Sequence, residues 1–204
     1  ECQSAQSYSD QAYSYFLSGN YELAASTYDR AIQLEPNSTA LWNNKGRALA
    51  MLQRIDQAIY CFDRSIAINP NDPESLNLKA IALSQGLKMD DQAILLFDRA
   101  LAINSSYFDA WNGKGMALAN LGDTAGALQC FENAVQMRPK DPQAWNNKGV
   151  VLLKMQRYEE ALGCFNQALS IDSHNEAALQ NKESTLQAMK EPATLRLGSS
   201  AASL

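Results

Sequence analysis

The chain has 204 residues, 46% hydrophobic and 19% charged, a balance that can bury a core and excludes collagenous or bulk-disordered classes. A formal net charge of -5 and a pI near 4.9 argue against a nucleic-acid partner, since affinity for a phosphate backbone comes largely from clustered Lys and Arg. No apolar run of about 18 residues occurs, so no membrane span is expected.

From the N-terminus onward, Gly19, Pro36, Pro70, Gly86, Gly122 and Pro139 punctuate segments whose apolar residues recur at helical spacing, and none alternates like a strand. The pattern predicts helices only, in pairs. First helices end near Leu17, Met51, Gln85, Asn120 and Lys154, and second helices end before Glu35, Asn69, Asn104, Arg138 and Asp172. Asp72 with Pro73, and Asp141 with Pro142, read as N-cap and first-turn pairs: the Asp accepts an orphan amide proton and the Pro has none to offer.

A six-residue phrase ties these pairs together. It reads Ala-Trp-Asn-Asn-Lys-Gly from Ala144 to Gly149 and returns at Leu41 to Gly46 and at Ala110 to Gly115, with weaker copies starting at Ser75 and Ala178. Trp111 to Trp145 is 34 residues and Trp42 to Trp111 is 69, so the period is close to 34 and the chain is a repeat array.

With the Trp slot counted as position 4, the chain resembles the tetratricopeptide repeat family. That family asks for a large residue at 4, small at 8, large at 11, small at 20, aromatic at 24, small at 27 and Pro at 32. Trp42, Gly46, Leu49, Ala58, Phe62, Ser65 and Pro70 match, as do Trp111, Gly115, Leu118, Ala127, Phe131, Ala134 and Pro139. Tyr8, Ala12, Tyr15, Ala24, Tyr28, Ala31 and Pro36 match in the first copy; Trp145, Gly149, Leu152, Ala161, Phe165 and Ala168 match in the last. The resemblance implies an all-α, right-handed solenoid of helical hairpins. It places an N-terminal extension at 1–4, five repeats at 5–38, 39–72, 73–107, 108–141 and 142–175, a capping helix at 176–190 and a mobile tail at 191–204 that begins where Pro192 stops the last helix. The small residues let paired helices approach, and the aromatics fill the space between layers.

Three features depart from the pattern. One extra residue between Leu83 and Ala93 reads as a slightly longer turn near Gly86 to Asp90. Ser105 and Ser173 replace Pro at position 32, which predicts less rigid turns there. Lys45, Lys79, Lys114, Lys148 and Lys182 occupy position 7, where the family usually has an apolar residue; the stem is expected to pack while the ammonium reaches water or an acid.

Little in the sequence supports catalysis. His174 is the single histidine and has no second ligand at metal spacing, so it reads as a solvated turn residue. No phosphate loop, Ser elbow or Cys-His pairing occurs, and Asp63, Asp98 and Glu132 recur at one repeat position, as a surface pattern does. Cys61, Cys130 and Cys164 share position 23; an intervening helix should hold them beyond disulfide reach, as small, partly buried thiols. Cys2 precedes the first repeat and has no assigned role. The chain is read as a non-enzyme with no cofactor and no metal. It begins at Glu1 without Met, which reads as processing or trimming, with a cytoplasmic location as the expectation.

The resemblance further implies that first helices line an inner groove through positions 2, 5, 6, 9, 12 and 13. Position 5 carries Ser9, Asn43, Asn77, Asn112, Asn146 and Gln180, and position 6 carries Asn44, Asn147 and Asn181. Such an amide ladder both donates and accepts, and so can grip the backbone of an extended peptide. Tyr13, Phe16, Arg47, Ile81, Met116, Val150 and Leu153 at positions 9 and 12 add apolar pockets beside it. Family members that clamp the carboxylate of chaperone tails need Lys at positions 5 and 2; no repeat has either, which disfavours that role. The functional expectation is a protein-interaction scaffold for an extended segment of a protein partner. The alternative is a homo-oligomer built through the capping helix and tail.

Overall fold

The computed structural model describes residues 4–190, so the expected tail at 191–204, its Pro192 stop and Cys2 lie outside the described part. Every regular element among the described residues is helical. In chain order they are α1 (Ala5–Leu17), α2 (Tyr21–Leu34), α3 (Thr39–Met51), α4 (Ile55–Ile68), α5 (Pro73–Ile81), α6 (Asp90–Ile103), α7 (Phe108–Asn120), α8 (Thr124–Met137), α9 (Pro142–Lys154), α10 (Tyr158–Ile171) and α11 (Glu176–Lys190). The two Asp-Pro starts behave as their chemistry requires. The Asp72 carboxylate accepts the Glu74 and Ser75 amides, and Asp141 accepts the Ala144 amide at 2.9 Å.

The turns inside the hairpins share one device. Gly19, Gln53, Lys88, Gly122 and Gln156 all adopt positive φ, between 59° and 84°. A left-handed residue here lets the chain reverse while the amide just beyond it bonds back to the helix: Asn20 to Tyr15 O, Arg54 to Leu49 O, Asp123 to Leu118 O and Arg157 to Leu152 O. Each of those bonds spans five residues, whereas Met89 N to Leu83 O spans six. The sixth residue is the insertion noticed in the sequence. It is accommodated inside the helix and not by a longer turn, because Ala82–Gly86 widens into a π-helical turn that carries α5 onward. Ser84 and Asp90, both buried, hydrogen-bond across this bulge.

The described chain forms two compact units, one running to Ala117 and the other from Leu118, with the boundary inside α7. In the first, α1 packs on α2, α2 on α3, α3 on α4, α4 on α5 and α5 on α6. Its core centres on Tyr28 and Phe62 among Ala12, Ala24, Ala31, Ala48 and Ala58, and continues around Phe97 with Leu76, Ala80, Ala93, Ala100 and Ala117. In the second unit, α8, α9, α10 and α11 pack in succession around Phe131, Val151, Leu152 and Phe165. Large aromatics buried among alanines are the close-packed solution that small residues at 8, 20 and 27 allow. Gly149 shows how tight it is: a Cβ there would stand 2.5 Å from Phe165 Cε1.

Two local readings of the sequence change on the structure. The position-4 indoles lock the preceding connection, with Trp42 Nε1 donating to Pro36 O and Trp145 Nε1 to Pro139 O, each at 2.9 Å. Trp111 makes the same 2.9 Å bond to Ser105 O, so the loss of Pro at 105 does not loosen that anchor. On α11, Ala178 and Thr185 are buried while Leu179 and Leu186 are 47% and 40% exposed. The packed stripe therefore lies one residue earlier than the two leucines suggest. In this orientation Asn181 Nδ2 donates to Asn146 Oδ1 at 2.9 Å.

Candidate functional site

In the first unit the faces of α1, α3, α5 and α7 line two adjoining cavities. One, of about 410 Å³, is walled by Phe16, Arg47, Ala50, Phe62, Leu78, Ile81 and the π-turn residues Ala82, Gln85 and Gly86. The other, of about 290 Å³, is walled by Arg47, Glu74, Asn77, Leu78, Ile81, Gln85, Tyr107, Asp109, Asn112 and Met116. They share Arg47, Leu78, Ile81 and Gln85. The Arg47 guanidinium stands 5.9 Å from the centroid of the Phe16 ring, a cation over an apolar wall. Of the residues selected from the sequence, Phe16, Arg47, Asn77, Ile81, Asn112 and Met116 meet here.

The others are placed differently. Tyr13 is 54% exposed on α1 and lines neither cavity. Asn44 is half-buried on α3. In the second unit Asn147, Val150, Leu153 and Asn181 are half-buried, with Val150 and Leu153 leaning on the core around Phe165.

The position-5 amides are not an open row. Asn43, Asn77 and Asn146 are all buried. Asn43 Nδ2 donates to Ser75 Oγ at 3.0 Å and to Asp72 Oδ2 at 3.3 Å, and its Oδ1 lies 3.1 Å from the Ser75 hydroxyl. Ser65 Oγ is 2.7 Å from Ser75 Oγ, which closes a buried polar network across α3, α4 and α5. Asn146 accepts from Asn181 as described. These amides join one hairpin to the next, because the position-5 side chain points at the start of the following first helix.

Asn77 is the exception, and the sequence says why. In the register of Asp72 and Ser75 the next repeat has Tyr107 and Ala110, which removes both the capping carboxylate and the hydroxyl. Asn77 Oδ1 is consequently buried with no hydrogen-bond partner, at a typical cost of about 1–3 kcal/mol. Burial pushes the Tyr107 phenol up to about 12, helped by the nearby carboxylates of Asp109, Glu74 and Asp72, with the Asn77 side chain pulling the other way. Glu74, Tyr107, Asp109 and Gln85 were not among the residues chosen from the sequence. The signal that could have found them is the change from Asp to Tyr at the repeat boundary, visible only against the neighbouring copies.

Little else offers chemistry. Among the described residues no group of three or more His, Cys, Asp or Glu is placed to hold a metal ion, and no helix is long and apolar enough to cross a membrane. His174 sits exposed in the α10–α11 connection, 3.2 Å from Ser173 Oγ. Cys61, Cys130 and Cys164 carry buried thiols; burial, opposed by Lys45 and aided by Asp29, pushes the Cys61 thiol up to about 11.

Comparison with known proteins gives a consistent picture. Two family models described as tetratricopeptide repeat match, one over residues 108–141 and 142–175 and the other over residues 9–73. The comparison with curated proteins found no match. Among solved structures, the chain is similar to YrrB, a TPR protein, at 23% identity and a TM-score of 0.66, covering 88% of this chain and 92% of that one. It is similar to a thermophilic TPR protein in Thermus thermophilus at 19% identity and a TM-score of 0.75, covering 90% and 100%. PilW, a type IV pilus biogenesis factor, matches at 19% identity and a TM-score of 0.80, covering 92% and 91%. At these identities the likeness is one of fold.

Proposed function

Since this chain belongs to the tetratricopeptide repeat family, we propose that it is a non-catalytic scaffold that holds an extended segment of a protein partner on the first-helix face of its first unit. The observation that carries this reading is the pair of adjoining cavities in which Phe16, Arg47, Ile81 and Met116 converge around polar Asn112 and Gln85. Apolar walls with a few polar groups suit side chains projecting from an extended backbone. YrrB is a TPR protein with an unusual peptide-binding site, which is consistent with such a use of the fold. The buried amides Asn43, Asn77 and Asn146 serve as joints between hairpins; Asn44, Asn112 and Asn147 are the ones exposed enough to meet a peptide backbone. Asn147 with Val150 and Leu153 is a second, smaller contact face belonging to the second unit.

The test is peptide selection from a random twelve-residue library on the intact chain, followed by titration of the selected peptides. Ile81→Asp places a charge in both cavities and should weaken them at least tenfold, while Asp98→Lys, on the second-helix side, should not. Equal loss with Asp98→Lys and retention with Ile81→Asp would move the site to the other face.

A second reading has its own observation. Leu179 and Leu186 lie exposed seven residues apart on one face of α11, an apolar strip suited to a second copy of the chain. Light scattering across a concentration series would show mass rising towards a dimer, and Leu179→Glu with Leu186→Glu would abolish the rise. A constant monomer mass would dismiss it.

A further inference from the structure

The smaller cavity is chemically one-sided. Asn77 Oδ1 is a buried acceptor without a donor. Glu74 and Asp109 add carboxylates, and Tyr107 and Asn112 add groups that can accept. Leu78, Ile81 and Met116 form an apolar side along which an aliphatic stem can lie. Arg47 is the opposing cation on the wall, but it sits against the Phe16 ring, and two carboxylates line the same space.

Resting on the scaffold reading, we propose that this cavity takes an arginine side chain of the bound segment, its guanidinium donating to Asn77 Oδ1 and to the Glu74 and Asp109 carboxylates. Arginine fits better than lysine. Its five N–H donors are spread in a planar fork that can serve a carboxylate and a separate amide oxygen together, and its weaker hydration lowers the cost of entering a half-buried space. The neighbouring copy of the same joint shows that the vacancy is specific. Where Ser75 stands, the Asn43 carbonyl oxygen accepts from its hydroxyl; where Ala110 stands, the Asn77 carbonyl oxygen has no donor, although the rest of that amide meets Tyr107. The bound segment would supply the donor that the chain lacks.

The experiment uses two probes on the full chain, N-acetyl-arginine methylamide and its uncharged isostere N-acetyl-citrulline methylamide, followed by amide NMR shifts. The arginine probe should saturate shifts at Asn77, Tyr107 and Met116 with an affinity at least tenfold above that of citrulline. Ala110→Ser should supply Asn77 with an internal hydroxyl and lower arginine affinity at least threefold. Because Ser75 occupies the equivalent position, that variant should fold. Glu74→Gln, on an exposed residue, should also weaken the arginine probe and leave the citrulline probe unchanged. Equal binding of the two probes, or an arginine affinity untouched by both Ala110→Ser and Glu74→Gln, would overturn the assignment. The scaffold reading is judged separately: selected peptides that lack arginine yet lose binding with Ile81→Asp would keep the scaffold and discard the arginine pocket, and loss of both signals would discard both.

Discussion

Lys79 Nζ lies 2.6 Å from Asp63 Oδ1, and the same pairing recurs sixteen residues apart at Lys45–Asp29, Lys114–Asp98 and Lys148–Glu132. The acids that recur at one repeat position and the lysines that depart from the family pattern are therefore one feature, a second helix bound to the next first helix. Lys45, Lys114 and Lys148 also stand 5.8 to 5.9 Å from the rings of Trp42, Trp111 and Trp145. The acids remain about half exposed, so each pair should contribute little alone. Asp63→Asn is expected to lower stability by less than about 1 kcal/mol by urea titration, with the difference shrinking in high salt. A loss above about 2 kcal/mol would show that the pair is not behaving as a screened surface contact.

Glycines at two sites on neighbouring helices should respond oppositely to alanine. Gly149→Ala gains about 1 kcal/mol of helix propensity but drives a Cβ into Phe165, an overpacking cost of about 1–3 kcal/mol, so net destabilisation is expected. Gly163 in α10 is exposed and has nothing within 4 Å of an added Cβ, so Gly163→Ala should stabilise by up to about 1 kcal/mol. Thermal melts of the two variants test the pair, and the same sign for both would contradict the packing described.

Gln156 adopts φ of 59° where Gly19 and Gly122 fill the equivalent turns. A side chain there resists the left-handed region, so Gln156→Gly should raise stability by up to about 1 kcal/mol in the same assay. A fall in melting temperature would mean that the Gln side chain makes a compensating contact.

The buried thiols predict both chemistry and a pH dependence. Cys61 and Cys164 should alkylate slowly in the native chain at pH 8 and fast in urea. For Cys61 the folded pKa, about 11, exceeds the ordinary 9.0. Above pH 9 the unfolded chain has lost the proton that the folded chain keeps. Unfolding stability is thus intact below pH 9 and falls as pH rises from 9 towards 11, by at most about 1.4 kcal/mol per pH unit for this thiol. Cys61→Ala should flatten that slope in pH-dependent urea melts, and an unchanged slope would show that other groups produce it.

Truncation after Asn175 removes α11 and with it the Asn181 donor to Asn146, and opens to water the surface of α10 and α9 that α11 covers. Compared with truncation after Lys190, the shorter chain should melt lower and aggregate. Identical melting of the two would remove the capping role.

The repeat period, the helix ends and the Asp-Pro caps were legible in the residues, because helical periodicity and capping are local and each copy repeats the same local chemistry. So was the burial of Tyr28, Phe62, Phe131 and Phe165, since one aromatic slot among small residues admits one packing. The insertion near Gly86 was countable but its placement was not: a π-turn and a longer loop have the same length in sequence and differ only in which backbone bonds survive packing. The fate of the asparagines was likewise hidden. Whether Asn43 faces a ligand or Ser75 depends on the approach of the next hairpin, a distance that no single repeat contains. Sequence alone determined that the chain repeats a helical hairpin and which side chains each copy brings. Only the tertiary structure decided which amides are spent on joining the hairpins and that the Asn77 carbonyl oxygen, in the copy that carries Tyr107 and Ala110, is left without a donor, because hydrogen bonding is settled at a few tenths of an ångström between elements remote in sequence.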